Sequence, residues 1–455
     1  MYEYNIRKPA SCLLFILLFN FAFTYSDEDN QWQYLFNGKN LEGWKQLGGE
    51  AEFHVEDGVI VGTSVLNTPN SFLCTKKMYS DFILELEVLV DTAMNSGIQI
   101  RSNSFKDYKN GIVHGYQVEI DPSERAWSGG IYDEGRRGWL YSLENNEPAK
   151  KAFRNGEWNK YRIEAIGNSI KTWVNDIPAA DLVDNKTAEG FIGLQVHEIG
   201  NNKEKENIKV YWRNIRIITE SPEKEKKTDT KRIKQINLIP NFSNNREIKE
   251  GWKLLWDGKT TEGWRGVHKK SFPEKGWVIE EGALTVLKSE GGGDIVTVDE
   301  YSNFELILDF KITEGANSGI KYFVIENYPG HPGSVIGLEY QILDDLNHPD
   351  SKNGVGGNRT MASLYDLIPP DSNKKANPVG EWNYVRLLVN GNHAEHWLNG
   401  EKVIEYERGT QIFRALVAKS KYHVYENFGE ASKGHILLQD HGDKVSFRNI
   451  KIRSL

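Results

Sequence analysis

The chain contains the same succession of sequence blocks twice, and this duplication is the feature that most limits its fold. The first pair of blocks reads YLFNGKNLEGW at 34–44 and LLWDGKTTEGW at 254–264. Five more pairs follow in the same order, about 220 residues apart: 94–100 and 316–322, 156–162 and 380–386, 173–176 and 397–400, 192–197 and 436–441, and 212–217 and 447–452. A solenoid repeat is only roughly 20–50 residues long, so the sequence predicts two copies of one domain, each with its own core.

The two copies account for nearly all of the chain. We place the first domain at 27–220 and the second at 251–455. The intervening stretch 221–234 is highly charged and contains few apolar residues, so it cannot bury enough surface to fold by itself. It is predicted to be a linker, and the residues after it, up to 250, are expected to form an irregular lead-in that packs on the second domain.

The N-terminus has the layout of a secretory signal peptide. Two basic residues precede an apolar run at 13–23, and small residues then lead to an acidic cluster after Ser26. We predict a signal peptide at 1–26 that is cleaved near Ser26; its apolar run is too short to span a membrane. Cleavage leaves Cys74 as the one cysteine, so no intrachain disulfide can form. An exported protein without disulfides is typical of a bacterial envelope, and we predict a periplasmic or secreted protein with no transmembrane segment after cleavage.

The local sequence pattern is that of strands and turns. Asp81–Val90 and Asn303–Ile312 alternate polar and apolar residues, which is the period of a half-buried strand. Asn175-Asp176 and Asn399-Gly400 lie between such runs, where a tight hairpin needs residues that tolerate positive φ. No segment shows a sustained helical stripe. The pattern therefore predicts an all-β chain made of two antiparallel jelly-roll β-sandwiches.

Strand alternation also predicts which polar residues share a face. Within 192–197 the apolar side chains take one face, so Gln195 and His197 take the other. Gln439 and His441 repeat this arrangement in the second copy. Because the apolar face must lie between the sheets, both Gln–His pairs are expected on the outer face. We take them as candidate site residues.

Other polar residues of the strands and of one rim loop have the same predicted orientation. In the first copy these are Gln99, Arg101, Gln117, Glu119, Asp121, Tyr132 and Arg136, and in the second copy Lys321, Glu339 and Gln341. Each copy is therefore predicted to gather a carboxylate, amides, a histidine and a cation on one exposed sheet. The Asn-Ser-Gly motifs at 95–97 and 317–319, which precede these residues, are expected to form a turn or bulge.

Composition limits the partners. The net charge of −8 offers no basic surface, so nucleic acid is not expected to bind. Most of the 13 Trp and 20 Tyr are expected in the cores, but aromatic faces stack on sugar rings as readily as they fill cores. A saccharide is the expected ligand. The oligomeric state is not predicted.

The blocks of both copies resemble the 3-keto-disaccharide hydrolase domain, formerly a domain of unknown function. LFNGKNLEGW, NSGIQIR, GEWN, LQVH and RNIRI carry the resemblance in the first copy, and LWDGKTTEGW, NSGIKY, EYQILD, GEWN, WLNG, LQDHG and FRNIKI carry it in the second. The resemblance implies a concanavalin-A-like fold and cleavage of glycosides whose sugar carries a ketone at C3. The first copy departs from the family pattern at Glu198, where glycine is usual after histidine, and the second lacks the arginine after NSGI.

This activity suggests roles for the candidate residues. A C3 ketone acidifies the C2 hydrogen, so a base can remove it and expel the C1 oxygen, after which water adds. The hypothesis takes one histidine as base, one glutamate as acid, and one cation with the amides as stabilisers of the enolate. The candidates for these three roles are His197 or His441, Glu119 or Glu339, and Arg101 or Lys321. A divalent cation held by Glu and His could take the place of the protein's own cation, but no spacing is diagnostic of one.

Three alternatives stay open at this point. The residues 119–124 fit E-x-D-x-x-E, the pattern of a retaining β-glucanase that would use Glu119 and Glu124. Pro122 interrupts the strand that would direct Glu124 toward the site. The second alternative is a non-catalytic carbohydrate-binding protein of lectin-like fold. The third is a purely structural envelope protein, which would bind no sugar.

Overall fold

The computed structural model describes residues 31–227 and 233–455. The predicted signal peptide at 1–26 lies outside the described residues, as does part of the charged stretch 221–234. The chain divides into two compact units, Met1–Ile236 and Asn237–Leu455. Among the described residues, no helix combines the length and apolar character needed to cross a membrane.

The first unit is made of two antiparallel sheets. Its strands are β1 (Gln33–Tyr34), β2 (Trp44–Gly48), β3 (Glu52–Glu56), β4 (Val59–Thr63), β5 (Ser71–Thr75), β6 (Phe82–Val90), β7 (Ser96–Asn103), β8 (His114–Ile120), β9 (Ile131–Glu134), β10 (Gly138–Tyr141), β11 (Asn159–Ile166), β12 (Ser169–Val174), β13 (Ile177–Val183), β14 (Phe191–Val196) and β15 (Lys209–Ile218), followed by the short strand β16 (Ile236–Asn237). One short helix, α1, covers Glu147–Lys150. The nine-stranded sheet has the order β16-β13-β12-β11-β6-β15-β4-β3 with β1 beside β15, and the seven-stranded sheet has the order β10-β9-β8-β7-β14-β5-β2.

The second unit repeats this plan. Its strands are β17 (Lys253–Leu254), β18 (Trp264–Gly266), β19 (Trp277–Glu280), β20 (Ala283–Val286), β21 (Ile295–Thr297), β22 (Phe304–Ile312), β23 (Asn317–Glu326), β24 (Val335–Leu343), β25 (Asn383–Asn390), β26 (His393–Leu398), β27 (Glu401–Glu407), β28 (His435–Leu438) and β29 (Val445–Ser454), and its helices are α2 (Asn245–Lys249) and α3 (Gln411–Ala418). The eight-stranded sheet has the order β19-β20-β29-β22-β25-β26-β27 with β17 beside β29, and the five-stranded sheet has the order β18-β21-β28-β23-β24.

Each core lies between the two sheets of its unit. In the first unit, Gly62 on β4 lies so close to β14 that a Cβ atom there would come within 2.5 Å of Val196 Cγ2. In the second unit, the rings of Phe304 on β22 and Tyr322 on β23 meet edge to face at 6.4 Å. Burying an apolar side chain of this size stabilises the fold by roughly 1.5–3 kcal/mol, so the apolar faces decide how the sheets pair. The prediction of two tandem jelly-roll β-sandwiches is confirmed.

The local predictions for strands and hairpins agree with the structure. The two alternating segments form β6 and β22. The β12–β13 hairpin turns at Asn175 and Asp176, whose φ angles are 48° and 65°. The β26–β27 hairpin turns at Asn399 and Gly400, with φ angles of 49° and 88°. Left-handed backbone at both central residues gives the turn a twist that matches the flanking strands.

The described ends of the segment 221–250 contact the unit that each adjoins. A short 3-10 turn, Pro222–Glu225, accepts a hydrogen bond from the Arg162 guanidinium at the Glu225 carbonyl, 2.5 Å away. Helix α2 has a capping box made by Asn244 and Glu247. Lys451 of β29 donates from Nζ to Glu247 Oε1 at 2.7 Å.

The two units differ in the connection that precedes the last strand of the sheet that carries the candidate residues. In the first unit, residues 184–190 connect β13 to β14. In the second, the corresponding connection from β27 to β28 is residues 408–434, which we call the inserted segment. It contains helix α3 and a 3-10 turn, Lys421–Val424. This segment supplies one wall of the cavity described below.

Candidate active site

The Asn-Ser-Gly motifs make room for the site from within a strand. The expectation of a turn or bulge at this motif is wrong, because β7 begins at Ser96 and β23 at Asn317. A Cβ atom on Gly97 would lie 2.4 Å from Gln117 Cδ, and one on Gly319 would lie 2.5 Å from Glu339 Oε1. Glycine is therefore required here for space rather than for a special φ angle.

The serine of the motif connects the two central strands of the sheet. Ser96 donates from Oγ to the Gln195 carbonyl at 2.7 Å, and Ser318 donates to the Gln439 carbonyl at 2.8 Å. The amide oxygen Oε1 of each glutamine is itself buried and has no hydrogen-bond partner among the described residues. A buried acceptor without a donor is costly to the fold, and this one recurs at the matching glutamine of both units.

The second unit has a cavity of about 300 Å³ above its five-stranded sheet. All five candidate residues of this unit line it: Lys321, Glu339, Gln341, Gln439 and His441. The volume is at the lower end of the range for small-molecule sites. The structure therefore brings the predicted residues of the second copy together in one place.

Lys321 and Glu339 form the charged pair of the cavity. They lie opposite each other on β23 and β24, with Lys321 Nζ 3.9 Å from Glu339 Oε2. Only 5% of the Glu339 side chain is exposed. The amide nitrogen of Gln341, on the same strand, lies 3.1 Å from Asn317 Oδ1. His441 follows β28 and is exposed at the mouth, where its ring lies 6.4 Å from that of His348.

The inserted segment adds a second lysine that the sequence analysis missed. Lys421 lines the cavity, and its Nζ lies 4.1 Å from the ring centre of Tyr365 and 5.1 Å from that of Tyr422. The residue as a whole is exposed, but its ammonium group is partly desolvated. This desolvation lowers the pKa of Lys421, Lys321 lowers it further, and Glu339 opposes the shift. Lys421 has no counterpart in the repeated blocks, so the internal comparison offered no signal for it.

A further carboxyl group missed by the sequence analysis, Asp294, lies beside the cavity. Its Oδ1 accepts a hydrogen bond from the Asp440 amide at 2.9 Å. Burial raises the pKa of Asp294, whereas the charges of Lys321 and His441 oppose that shift. The group precedes β21 directly, and strand alternation alone does not assign an orientation to a residue outside a strand.

The first unit arranges similar groups in a closed network. Glu119 Oε1 accepts from Asn95 at 2.7 Å and from Arg125 at 3.1 Å, and its Oε2 accepts from Gln117 at 3.0 Å. Gln99 in turn donates to Gln117 Oε1 at 2.7 Å. Burial raises the pKa of Glu119 despite these donors. Every oxygen of this carboxylate therefore already has a protein partner.

A loop after β8 covers this network. Asp121 accepts from Arg125 Nε at 2.7 Å, and the guanidinium lies 5.0 Å from the Trp127 ring and 4.9 Å from the Trp139 ring. Burial would raise the pKa of Asp121, but hydrogen bonds from its loop lower it overall. Tyr132 meets Trp139 edge to face at 5.3 Å. Asp121 thus holds the loop and Arg125, while Tyr132 belongs to an aromatic cluster at the rim.

The histidine of the first unit faces a glutamate that the sequence analysis did not select. His197 is half-buried, and its Nδ1 lies 2.7 Å from the Glu198 carbonyl oxygen. Burial raises the pKa of Glu134, while a hydrogen bond from Asn70 and the charge of His197 lower it. Asn70 Nδ2 donates to Glu134 Oε1 at 3.3 Å.

Two predicted binding residues do not reach the site. The register of β7 shifts after Ile100, and Arg101 has a φ of 45°, so this bulge ends the strand alternation. The Arg101 guanidinium is 1% exposed and binds the Ser80 carbonyl at 2.6 Å, with further bonds to the Gly167 carbonyl and Asp81. Arg136 forms an ion pair with Asp133 and donates to Thr187 Oγ1 at 2.6 Å. Both arginines bind groups of the protein itself, and the expectation that Arg101 faces outward on the strand is wrong.

The expected exposure of the sheet face is also wrong. The loops at the rim cover it, and the candidate residues that are nearly fully buried are Gln99, Arg101, Gln117, Glu119, Asp121, Gln195, Glu339 and Gln341. The partner glutamate of the β-glucanase alternative, Glu124, is instead exposed on the loop after β8. The structure does not place it with Glu119 on a strand.

Among the described residues, no group of three side chains that could bind a metal ion lies in the cavity of the second unit. Within 31–227 and 233–455, such a convergence of His and carboxylate groups is found at His393, Glu395 and Glu405. These residues are on β26 and β27, in the other sheet. Lys402 Nζ lies 3.4 Å from Glu395 Oε1 within that cluster, so a cation is already present there.

Taken together, these features define a class of protein. The five-stranded sheet and the segments beside it place a carboxylate, two lysines, amides and a histidine around one small cavity, which is the arrangement of an enzyme that performs acid–base chemistry on a small molecule. The model of the 3-keto-alpha-glucoside-1,2-lyase-like domain matches residues 31–218 and again residues 251–453. Because the two matches span most of the chain, it belongs to this family, and the predicted family and the class of glycoside hydrolase are confirmed.

Individual relatives cover about half of the chain. A 3-keto-disaccharide hydrolase of Bacteroides thetaiotaomicron is 38% identical over 231 residues, which are 45% of this chain and 79% of that protein. A solved candidate glycosyl hydrolase of Parabacteroides distasonis is 34% identical and covers 48% of this chain and 100% of its own, with a TM-score of 0.43. A carbohydrate binding module of Bacillus subtilis is 18% identical and covers 41% of this chain and 99% of its own, with a TM-score of 0.30.

Proposed function

We propose that this protein cleaves the glycosidic bond of 3-keto-glycosides or 3-keto-disaccharides by elimination and hydration, in the cavity of the second unit. The observation that carries the proposal is the charged pair of Lys321 and Glu339, which shares one cavity with His441 and two amides. The activity named for the Bacteroides thetaiotaomicron relative supports the choice of substrate.

The reaction divides into two steps for which the cavity has suitable groups. In the first, His441 removes the C2 hydrogen, the C1–O bond breaks and a C1=C2 double bond forms. Glu339 must carry a proton when this step begins, and it gives that proton to the departing oxygen. Lys321 and the amides stabilise the charge that develops on the C3 oxygen. In the second step, water adds across the double bond and gives the free 3-keto sugar.

The first unit supports a different role, that of a saccharide-binding unit without turnover. The Glu119 carboxylate is occupied by three donors, one of them the Arg125 guanidinium, so it is not free to exchange a proton with a substrate. The rim nevertheless presents Trp139 and Tyr132, and aromatic faces of this kind bind sugars. We propose one catalytic copy and one binding copy.

We also propose that the protein acts outside the cytoplasm. The support is the sequence of 1–26, which has the basic, apolar and small-residue regions of a signal peptide. N-terminal sequencing of the protein recovered from the periplasm or the medium would test this. An N-terminus that still contains residues 1–26 would contradict the proposal.

The central experiment follows cleavage of the C1–O bond and exchange of the hydrogen at C2. The full-length protein is incubated with a 3-keto-glucoside in deuterated water, and aglycone release and deuterium at C2 are measured. We expect release together with exchange at C2, and loss of both in His441→Gln. His197→Gln in the first unit is the matched control and should retain both. Binding without release or exchange would instead support the non-catalytic carbohydrate-binding protein.

A further inference from the structure

The inserted segment holds Lys421 in a fixed position over the cavity. The Lys421 backbone amide donates to Asp366 Oδ2 at 2.8 Å. The next residue, Tyr422, is 5% exposed and stacks on Phe428 with 4.0 Å between ring centres. The stem of Lys421 is thus anchored at its backbone, and its amine extends into the cavity that contains Lys321 and Glu339.

The amine of Lys421 lies among aromatic rings and charged groups. Burial desolvates it, the ring centres of Tyr365 and Tyr422 lie 4.1 and 5.1 Å from Nζ, and Lys321 lines the same cavity. Arg359 adds a further positive charge, while Glu339 and Asp366 oppose it, and the net effect lowers the pKa of Lys421. A desolvated lysine next to another cation is the usual arrangement of an amine nucleophile that attacks a carbonyl.

We propose that Lys421 is a catalytic nucleophile that forms an iminium ion with the C3 ketone of the substrate. This inference rests on the proposed function, because it assigns a covalent route to the same reaction. In this route the iminium nitrogen replaces the C3 oxygen as the group on which the change of charge occurs. The neutral Nζ attacks C3, and the resulting carbinolamine loses one water to give the iminium. Removal of the C2 hydrogen then gives an enamine. The enamine expels the C1 oxygen, which takes a proton from Glu339, and leaves an iminium at C3 conjugated with the new C1=C2 bond.

The covalent bond is broken by water, so the atoms balance. One water adds across the C1=C2 bond, and a second water hydrolyses the iminium at C3 and releases the amine. The water lost on forming the iminium is returned in this last step. The net reaction is hydrolysis of the glycoside by one water, with no oxidant or reductant. The positive iminium nitrogen acidifies the C2 hydrogen more strongly than a ketone does.

The test is reductive trapping. The full-length protein is mixed with a 3-keto-glucoside and sodium cyanoborohydride, which reduces an iminium to a stable amine, and the modified peptide is mapped by mass spectrometry. We expect one hexose-derived adduct on Lys421 and irreversible loss of activity. Lys421→Arg keeps the charge and the backbone anchor but cannot form an iminium. It should give no adduct at this position and lower turnover by about 100-fold or more.

The controls separate this inference from the proposed function. Lys419→Arg changes an exposed lysine at the end of α3 and should retain adduct and turnover. An unmodified Lys421 in a protein that cleaves the substrate, or full turnover by a folded Lys421→Arg variant, would overturn the iminium and leave the proposed function standing. An adduct on Lys421 in a protein that does not cleave the substrate would support Lys421 as a nucleophile and overturn the proposed function.

Discussion

Lys321 and Glu339 face each other across β23 and β24, with 3.9 Å between Nζ and Oε2. The first unit has Gln99 and Gln117 at the same two positions of the register, joined by a hydrogen bond of 2.7 Å. The scaffold is thus the same, but one unit holds opposite charges where the other holds two neutral amides. Groups that exchange protons and stabilise charge are needed for elimination, which is why we assign turnover to the second unit.

Replacing the carboxylate of this pair should separate the two units. Glu339→Gln is expected to lower turnover of a 3-keto-glucoside by about 10²–10⁴, the usual contribution of a positioned acid or base. Glu119→Gln makes the same change in the first unit and should leave turnover nearly intact. Glu124→Gln is the control for an exposed carboxylate. Steady-state release of the aglycone measures all three, and the assignment fails if Glu119→Gln is the inactive variant.

Adding one methyl group to the motif glycine of the second unit should displace the carboxylate. The new Cβ in Gly319→Ala would lie 2.5 Å from Glu339 Oε1, so the side chain has to move. We expect kcat to fall by roughly 10-fold or more, because a displacement of about 1 Å can cost 100-fold. Gly97→Ala places the same methyl group against Gln117 in the first unit and should leave kcat unchanged. Equal losses in the two variants would argue against turnover in the second unit.

Removing the unpartnered amide oxygen of Gln439 should stabilise the second unit but weaken its binding of the substrate. Gln439→Leu removes a buried acceptor that has no donor within the described residues. We expect the free energy of unfolding of the second unit to rise by about 1 kcal/mol, while KM for the 3-keto-glucoside increases. Urea unfolding and initial-rate kinetics measure the two effects. Lower stability with an unchanged KM would show that the oxygen serves the fold instead.

Stability of the second unit should depend on pH through His396. This side chain is fully buried, its Nε2 lies 2.8 Å from Tyr322 Oη, and its Nδ1 lies 3.1 Å from the Ala362 carbonyl oxygen. Burial lowers the pKa of His396 to about 4. In the unfolded chain the pKa is about 6.5, so below that pH the unfolded state takes up the proton first. The stabilisation is complete above about pH 6.5 and is lost as the pH falls toward 4.

The expected loss is about 3 kcal/mol between these limits, since each pKa unit corresponds to about 1.4 kcal/mol. Urea unfolding at about pH 7 and about pH 4.5 measures it. His396→Gln keeps a donor and an acceptor but does not titrate, so its stability should fall less over the same range. If the variant and the unmodified protein lose the same free energy of unfolding between these two pH values, His396 does not contribute to the pH dependence.

The hairpins and the faces of regular strands could be predicted from local rules, whereas the strand at the Asn-Ser-Gly motifs could not. The hairpins at Asn175 and Asn399 follow from residues that accept positive φ, and the orientations of Gln195 and Glu339 follow from the two-residue period of a strand. The prediction of orientation failed at Arg101, where a single bulge ended that period and turned the guanidinium toward Ser80 and Gly167.

By itself, the sequence determined that the protein has two β-sandwich domains of one family and which side chains face away from each core. The two domains follow from comparison of the repeated blocks. The orientation of the side chains follows from the two-residue period of a strand, which depends only on neighbouring residues. The tertiary structure alone decided that this face is buried, that the second unit has the cavity, and that Lys421 extends into it. These features depend on contacts between segments far apart in the chain, where no repeat or period records which side chains will meet.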